Sequence, residues 1–83
     1  MTPAQRIRAF IEETFIVDGF ADDDSFLRTG VIDSTGMMEL VLFLEQEFAI
    51  KIVDTELVPR NLDSIARAAT FVERKRAAVP AAS

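Results

Sequence analysis

No histidine, cysteine, tryptophan or tyrosine occurs among the 83 residues of this chain, and each absence removes a class of chemistry. Without His and Cys, the usual zinc ligands and the usual general base are missing. Neither a disulfide nor a protein thiolate can form, and a cysteine-free chain fits the reducing cytoplasm. Carboxylates, Lys and hydroxyls remain, so the sequence predicts no metal site, no self-contained active site and no enzyme. Gly and Pro are scarce at 3 each, and 49% of residues are apolar, which argues for a folded chain rather than a disordered one. No run approaches the ~18 apolar residues of a membrane span. The start, Met1-Thr-Pro-Ala-Gln-Arg6, lacks the apolar stretch of a signal peptide, so none is expected. Cations are also in short supply: 9 Lys and Arg against 14 Asp and Glu give a net charge of −5 and a pI near 4.5, which disfavours nucleic acid as a partner.

What is present suffices for one domain over residues 1–83, ordered over about 2–76 with 77–83 as a tail. A chain of this size buries about 60–65% of its unfolded surface, so nearly all of its Phe, Leu and Ile must share one core. The charge is uneven. Between Glu12 and Glu56, twelve acids stand against only Arg28 and Lys51, while Arg74-Lys75-Arg76 lie near the end. An acidic middle speeds encounter with a positively charged partner; a solvated surface that keeps the protein soluble is the plainer account of the same charges.

Periodicity predicts an all-α fold of three main helices plus a short one. Thr2-Pro3 reads as N-cap and N1, with Ile7, Phe10, Ile11 and Thr14 or Phe15 following at helical spacing. Residues 16–33 form a long connection whose Phe20, Phe26, Leu27, Val31 and Ile32 imply packing onto the helices. The clearest stripe is Met37, Leu40, Val41, Leu44 and Phe48. Met38 and Leu42 widen it, so this second helix is expected to be well buried. Ile50 and Ile52 read as an extended loop tucking inward, because one short strand cannot form a stable sheet alone. Asp54 caps a short turn holding Leu57 and Val58 and stopped by Pro59. Asp63 or Ser64 caps the last helix, in which Leu62, Ile65, Ala69 and Val72 recur, with Arg74, Lys75 and Arg76 at its carbonyl end.

Ser34 is the residue of greatest interest. It stands where the irregular stretch Gly30-Val-Ile-Asp33 gives way to the second helix. A Ser at a helix start is ordinarily a cap. If Asp33 caps instead, Ser34 occupies N1 with its hydroxyl in solvent, and a phosphodiester built there would sit at the positive end of the helix dipole. Gly36 costs up to ~1 kcal/mol relative to Ala inside a helix; bare backbone open to a ligand or partner is the expected return. Met37 and Met38 lie one turn beyond Ser34 and suit a cavity that repacks around a chain, with ordinary core packing as the plainer reading.

The run Phe26-Leu-Arg-Thr-Gly30-Val-Ile-Asp33-Ser34, then Met37-Met-Glu39-Leu-Val-Leu-Phe-Leu-Glu45-Gln-Glu47-Phe48, then Ile50, Ile52 and Asp54, resembles the acyl carrier and peptidyl carrier protein family. The resemblance extends through Pro59-Arg-Asn-Leu-Asp-Ser-Ile65 and covers nearly the whole chain. It implies a small four-helix bundle of acyl-carrier type, a monomer, with 4′-phosphopantetheine from coenzyme A attached to Ser34 by a phosphopantetheinyl transferase. It implies that the arm's thiol holds an acyl or aminoacyl group as a thioester, loaded by an adenylating ligase and passed to downstream acyl-transfer enzymes of fatty-acid, polyketide, nonribosomal-peptide or related biosynthesis. Asp33 then borders the attachment site and helps bind the transferase's metal-bound coenzyme A. Thr35, Met38, Glu39, Glu45 and Glu47 become the partner-recognition face. Thr35 stands where the family most often has Leu, and Gln46 interrupts the acidic run; both departures bear on partner identity. Asp-Ser-x-Gly is similar to standalone carriers that serve adenylating ligases.

The competing expectation is an unmodified helical interaction module with Ser34 as a plain cap. A calcium sensor fails on spacing, since a loop starting at Asp22 puts Phe26 where an oxygen ligand is needed.

Overall fold

The computed structural model describes residues 2–17 and 19–78, and it is all-helical over them. In chain order the elements are α1 (Pro3–Phe15), α2 (Phe26–Thr29), α3 (Ser34–Phe48), a 3-10 turn (Asp54–Glu56), α4 (Pro59–Leu62) and α5 (Ile65–Ala78). Three long helices form the bundle, and α1 packs chiefly on α5.

Local chemistry starts each long helix. Thr2 and Gln5 make a reciprocal capping box at α1, with Pro3 at N1, where its missing N–H is not needed. Asp33 caps α3, its carboxylate accepting from the Gly36 N–H at 2.7 Å. Ser64, 2% exposed, caps α5 by accepting from the Arg67 N–H at 3.0 Å. The Asp63 carboxylate instead serves α2, where it accepts from the Leu27 N–H at 2.9 Å and from the Ser25 hydroxyl. Of the two residues expected to cap the last helix, one does so and the other fastens a segment 36 residues earlier in the chain.

One core collects Ile7 and Ile11 from α1, Leu40, Val41, Leu44 and Phe48 from α3, and Ile65, Ala68, Phe71 and Val72 from α5. Phe26 enters from α2, and Phe20, Ile32, Ile50 and Ile52 from the connections, so the inward tuck of the 50–52 segment holds without a strand. A ladder of rings closes the α1–α3 flank: Phe10 stacks on Phe43 at 4.2 Å, and Phe15 and Phe48 meet them edge-on. Arg8 ties the following connection to α1, with its guanidinium over the Phe20 ring and 2.5 Å from the Asp22 carboxylate.

Four expectations need correction. The 26–29 stretch is helical, because Ser25 and Asp63 together cap it. Pro59 opens α4 rather than ending a turn, as Pro suits N1 and forces Val58 before it into extended backbone (φ −129°, ψ 151°). Met38 and Leu42 are 53% and 54% exposed, so α3 is buried on one face only. Residues 77 and 78 continue α5; the rest of the expected tail lies outside the described residues. No helix among the described residues is long and apolar enough to cross a membrane.

Candidate functional site

The Ser34 site is built by the start of α3. Asp33 has extended backbone (φ −92°, ψ −176°), and its side chain and carbonyl take the N–H groups of Gly36 and Met37. Ser34 is thereby placed at N1, exposed to solvent. Neither its hydroxyl nor the N–H groups of Ser34 and Thr35 has a hydrogen-bond partner among the described residues. A helix start in this state carries partial positive charge.

Beside the hydroxyl runs an open-sided groove of about 220 Å³. Ser34, Met37, Met38 and Val41 form one wall, three and four residues apart and therefore on one face of α3. Leu57, Val58, Pro59 and Leu62 form the facing wall, and Leu27 of α2 completes the lining. Ser34 is the only polar residue of the set. Met38 is 53% exposed, Leu27 44%, and Leu57 and Val58 each 37%. Met37 is half-buried. The methionines thus line a cleft in addition to any packing role.

Both walls rest on other parts of the fold. Glu56, at the end of the 3-10 turn, accepts from the Val53 N–H at 3.0 Å and pairs with Lys75 of α5 at 3.0 Å. These contacts, the backbone N–H first and the Lys75 ammonium second, hold its carboxyl below the ordinary 4.5. Asn61 donates to the Glu56 carbonyl and accepts from Arg74. The Leu57–Leu62 wall is therefore carried on α5.

Gly36 does not offer open backbone. It is buried, and a Cβ there would lie 2.7 Å from Cε1 of Phe15 and 3.0 Å from Cγ2 of Ile32. The missing side chain admits the end of α1 against the first turn of α3, on the protein's own interior side.

The expected partner-facing residues do not share one situation. Thr35, Met38 and Glu39 are exposed near Ser34, and the Glu39 carboxylate has no partner among the described residues. Glu45 is half-buried and accepts from the Ile52 N–H at 2.9 Å, holding the inward-tucked segment. Glu47 is paired with Arg6 of α1. Sequence reasoning missed Leu27, Leu57, Val58, Pro59 and Leu62 as groove wall. The available signal was Leu57-Val58-Pro59, two apolar residues that belong to no helical stripe and stand just before a Pro.

No group of His, Cys, Asp and Glu among the described residues is arranged to hold a metal ion. Compared with known proteins, the chain matches no family model and no curated sequence.

Proposed function

We propose that this protein is a carrier whose Ser34 hydroxyl bears 4′-phosphopantetheine. The observation that carries the reading is the solvent-exposed N1 hydroxyl, left unengaged because Asp33 does the capping, at the mouth of an apolar groove. The residues fit the group. The first-turn N–H groups of Ser34 and Thr35 face the position of a phosphodiester, and the Met37–Met38 wall offers apolar surface to whatever the arm carries. When attached, phosphopantetheine supplies the thiol that this cysteine-free chain lacks, and an acyl or aminoacyl group is held on it as a thioester.

The chain's own contribution is placement. Asp33 fixes the helix start and so the direction of the hydroxyl, while also lying beside the incoming coenzyme A and its metal on the transferase. Thr35, Met38 and Glu39 form the surface that partner enzymes meet. Glu45 and Glu47 support that surface through Ile52 and Arg6. The partners are a phosphopantetheinyl transferase, an adenylating ligase and downstream acyl-transfer enzymes, and the chain itself catalyses nothing.

Incubation with coenzyme A and a broad-specificity phosphopantetheinyl transferase, followed by intact mass, tests the proposal. One phosphopantetheine adduct is expected, absent in Ser34→Ala. An unchanged mass with several transferases overturns it. That result favours the unmodified module, for which the exposed Met38 and Leu42 on α3 would be the docking face.

A further inference from the structure

A second surface has the opposite electrostatic character. Arg60 of α4 and Arg67, Thr70 and Arg74 of α5 line a depression of about 220 Å³ floored by Ala66. Residues 67, 70 and 74 are three and four apart, so they share one helix face. Arg60 and Arg67 have no side-chain partner among the described residues, and Arg74 donates only to the neutral Asn61 amide. In a chain with five more acids than cations, a depression lined by three guanidinium groups and no carboxylate is unexpected. The nearest acids, Asp63 beside Arg67 and Glu56 beside Arg74, line neighbouring hollows and are engaged by Leu27, Ser25, Val53 and Lys75. The segment from residue 60 onward carries five cations and two acids, whereas residues 1–59 carry four cations and twelve acids. This depression and the Ser34 groove share no lining residue.

We propose that the Arg60–Arg67–Arg74 depression is a docking point for an acidic segment of a partner protein, separate from the Ser34 site. Guanidinium groups bind carboxylates through paired hydrogen bonds, and a Thr hydroxyl between two of them adds a further donor. The rest of the molecule selects the occupant. A long polyanion such as nucleic acid would extend over the acid-rich remainder and be repelled. An anionic membrane needs apolar residues beside the cations, yet no large apolar residue of α5 is exposed among the described residues. Leu57 and Val58, the exposed apolar residues nearest Arg60 in sequence, line the Ser34 groove instead. A second copy approaches against the mutual repulsion of two chains of charge −5. A short carboxylate cluster can stay within the arginine-lined depression and off the Asp23, Asp24 and Asp63 carboxylates that border Arg67 on its other side. The site does not depend on modification of Ser34, and its occupant can be held while the acidic pole engages a basic partner.

The test is a titration of the full chain, ¹⁵N-labelled, with a hexaglutamate peptide at low ionic strength, where charged contacts are least screened. Expected are amide shifts confined to residues 60–62 and 66–76. Affinity should fall about tenfold in Arg67→Gln/Arg74→Gln, and to a lesser degree in Arg60→Gln. It should stay unchanged in the charge-matched control Arg28→Gln/Lys51→Gln. All the altered side chains are surface groups, and matching melting curves verify the fold. No binding, shifts spread over the chain, or equal weakening in the control overturns the proposal. So does saturation of the same amides by inorganic phosphate at equal affinity, which marks a small-anion site. Arginine-dependent sedimentation with phosphatidylglycerol vesicles, or concentration-dependent shifts of the protein alone, likewise overturns it.

Discussion

Replacing Gly36 by Ala sets two physical effects against each other at one atom. Helix propensity alone favours Ala by ~1 kcal/mol, and Gly36 has no need of a positive φ, since only Gly19 and Gly30 among the glycines adopt one. Against this, the new Cβ would meet Phe15 Cε1 at 2.7 Å, Ile32 Cγ2 at 3.0 Å and Phe15 Cζ at 3.1 Å. Carbon atoms repel steeply inside their optimal ~3.5–4.0 Å separation. The Phe15 ring has little room to retreat, because it packs edge-on against Phe10 at 6.2 Å and Phe10 is stacked on Phe43. Overpacking of this kind costs about 1–3 kcal/mol. The repulsion meets or exceeds the propensity gain, so Gly36→Ala is expected to lose up to about 2 kcal/mol net.

Thermal unfolding of the full chain reads this as a fall in melting temperature of up to about 16 °C, at 4–8 °C per kcal/mol for a domain of this size. A double-mutant cycle isolates the cause. Phe15→Leu removes the ring edge, so the combination Phe15→Leu/Gly36→Ala should be more stable than the two single effects add to, with coupling of ~0.5 kcal/mol or more. If Gly36→Ala instead raises the melting temperature, the close approach of α1 to α3 is refuted, and with it the account of why Gly stands at 36.

Ile16 ends α1 in left-handed backbone (φ 52°) with 88% of its surface exposed; Ile16→Gly relieves a conformation costing a β-branched residue about 1–2 kcal/mol, partly offset by unfolded-chain entropy, so denaturant unfolding should show no loss and up to ~1 kcal/mol gain. The Glu56 carboxyl is held below its ordinary 4.5 by the Val53 N–H and by Lys75. Its lowered folded-state value means that its stabilisation is present above pH 4.5 and fades as pH falls through the folded value. The melting-temperature gap between the native chain and Glu56→Gln should therefore close on acidification, and a gap independent of pH would contradict the assignment. Glu45→Gln keeps an acceptor for the Ile52 N–H whereas Glu45→Lys removes it, so only the second should destabilise, by about 1–3 kcal/mol for a part-buried N–H left unsatisfied. Glu39→Lys should leave melting unchanged and slow transfer by partner enzymes at low salt.

The three long helices were legible because their causes are local. Capping residues at Thr2, Asp33 and Ser64 and apolar stripes three and four apart act within one or two turns of the chain. Apart from Pro59, whose role at N1 is local, the main departures from expectation came from residues outside the segment concerned. The α2 turn forms because Asp63 supplies its missing acceptor, and no pattern within 26–29 announces that. Gly36 reads as open backbone until Phe15 is brought against it. Glu45 and Glu47 look like solvated charge on a helix, yet the Ile52 N–H and Arg6 claim them. Met38 and Leu42 are apolar by composition but lie on the side of α3 away from the core and stay about half exposed, Met38 within the open-sided groove. At the site itself, Ser34 and Asp33 were readable because a cap and its neighbour are adjacent. The facing wall of the groove was not, because the sequence does not state which surface of the 57–62 segment meets α3.

The groove beside Ser34 joins two separately anchored bodies, and this follows from where the polar contacts lie. Its hydroxyl-bearing wall is part of α3, fixed by Leu40, Leu44 and Phe48 in the core. Its opposite wall has little packing of its own on α3. The segment is carried by α5 through α4, by the Glu56–Lys75 pair and by the Asn61 bridge to Arg74. Leu27 is tied to the same corner, because Asp63 accepts from its N–H and the Asp63 carbonyl accepts from the Phe26 N–H at 2.9 Å. Apolar burial therefore sets the position of Ser34, whereas what faces it is held by burial of Leu62 and Phe26 together with hydrogen bonds and an ion pair. Loss of the Glu56 or Asn61 contacts would alter the groove while leaving Ile7, Ile11, Leu44 and Ile65 packed, so the groove can change shape at no more than the stability those contacts contribute.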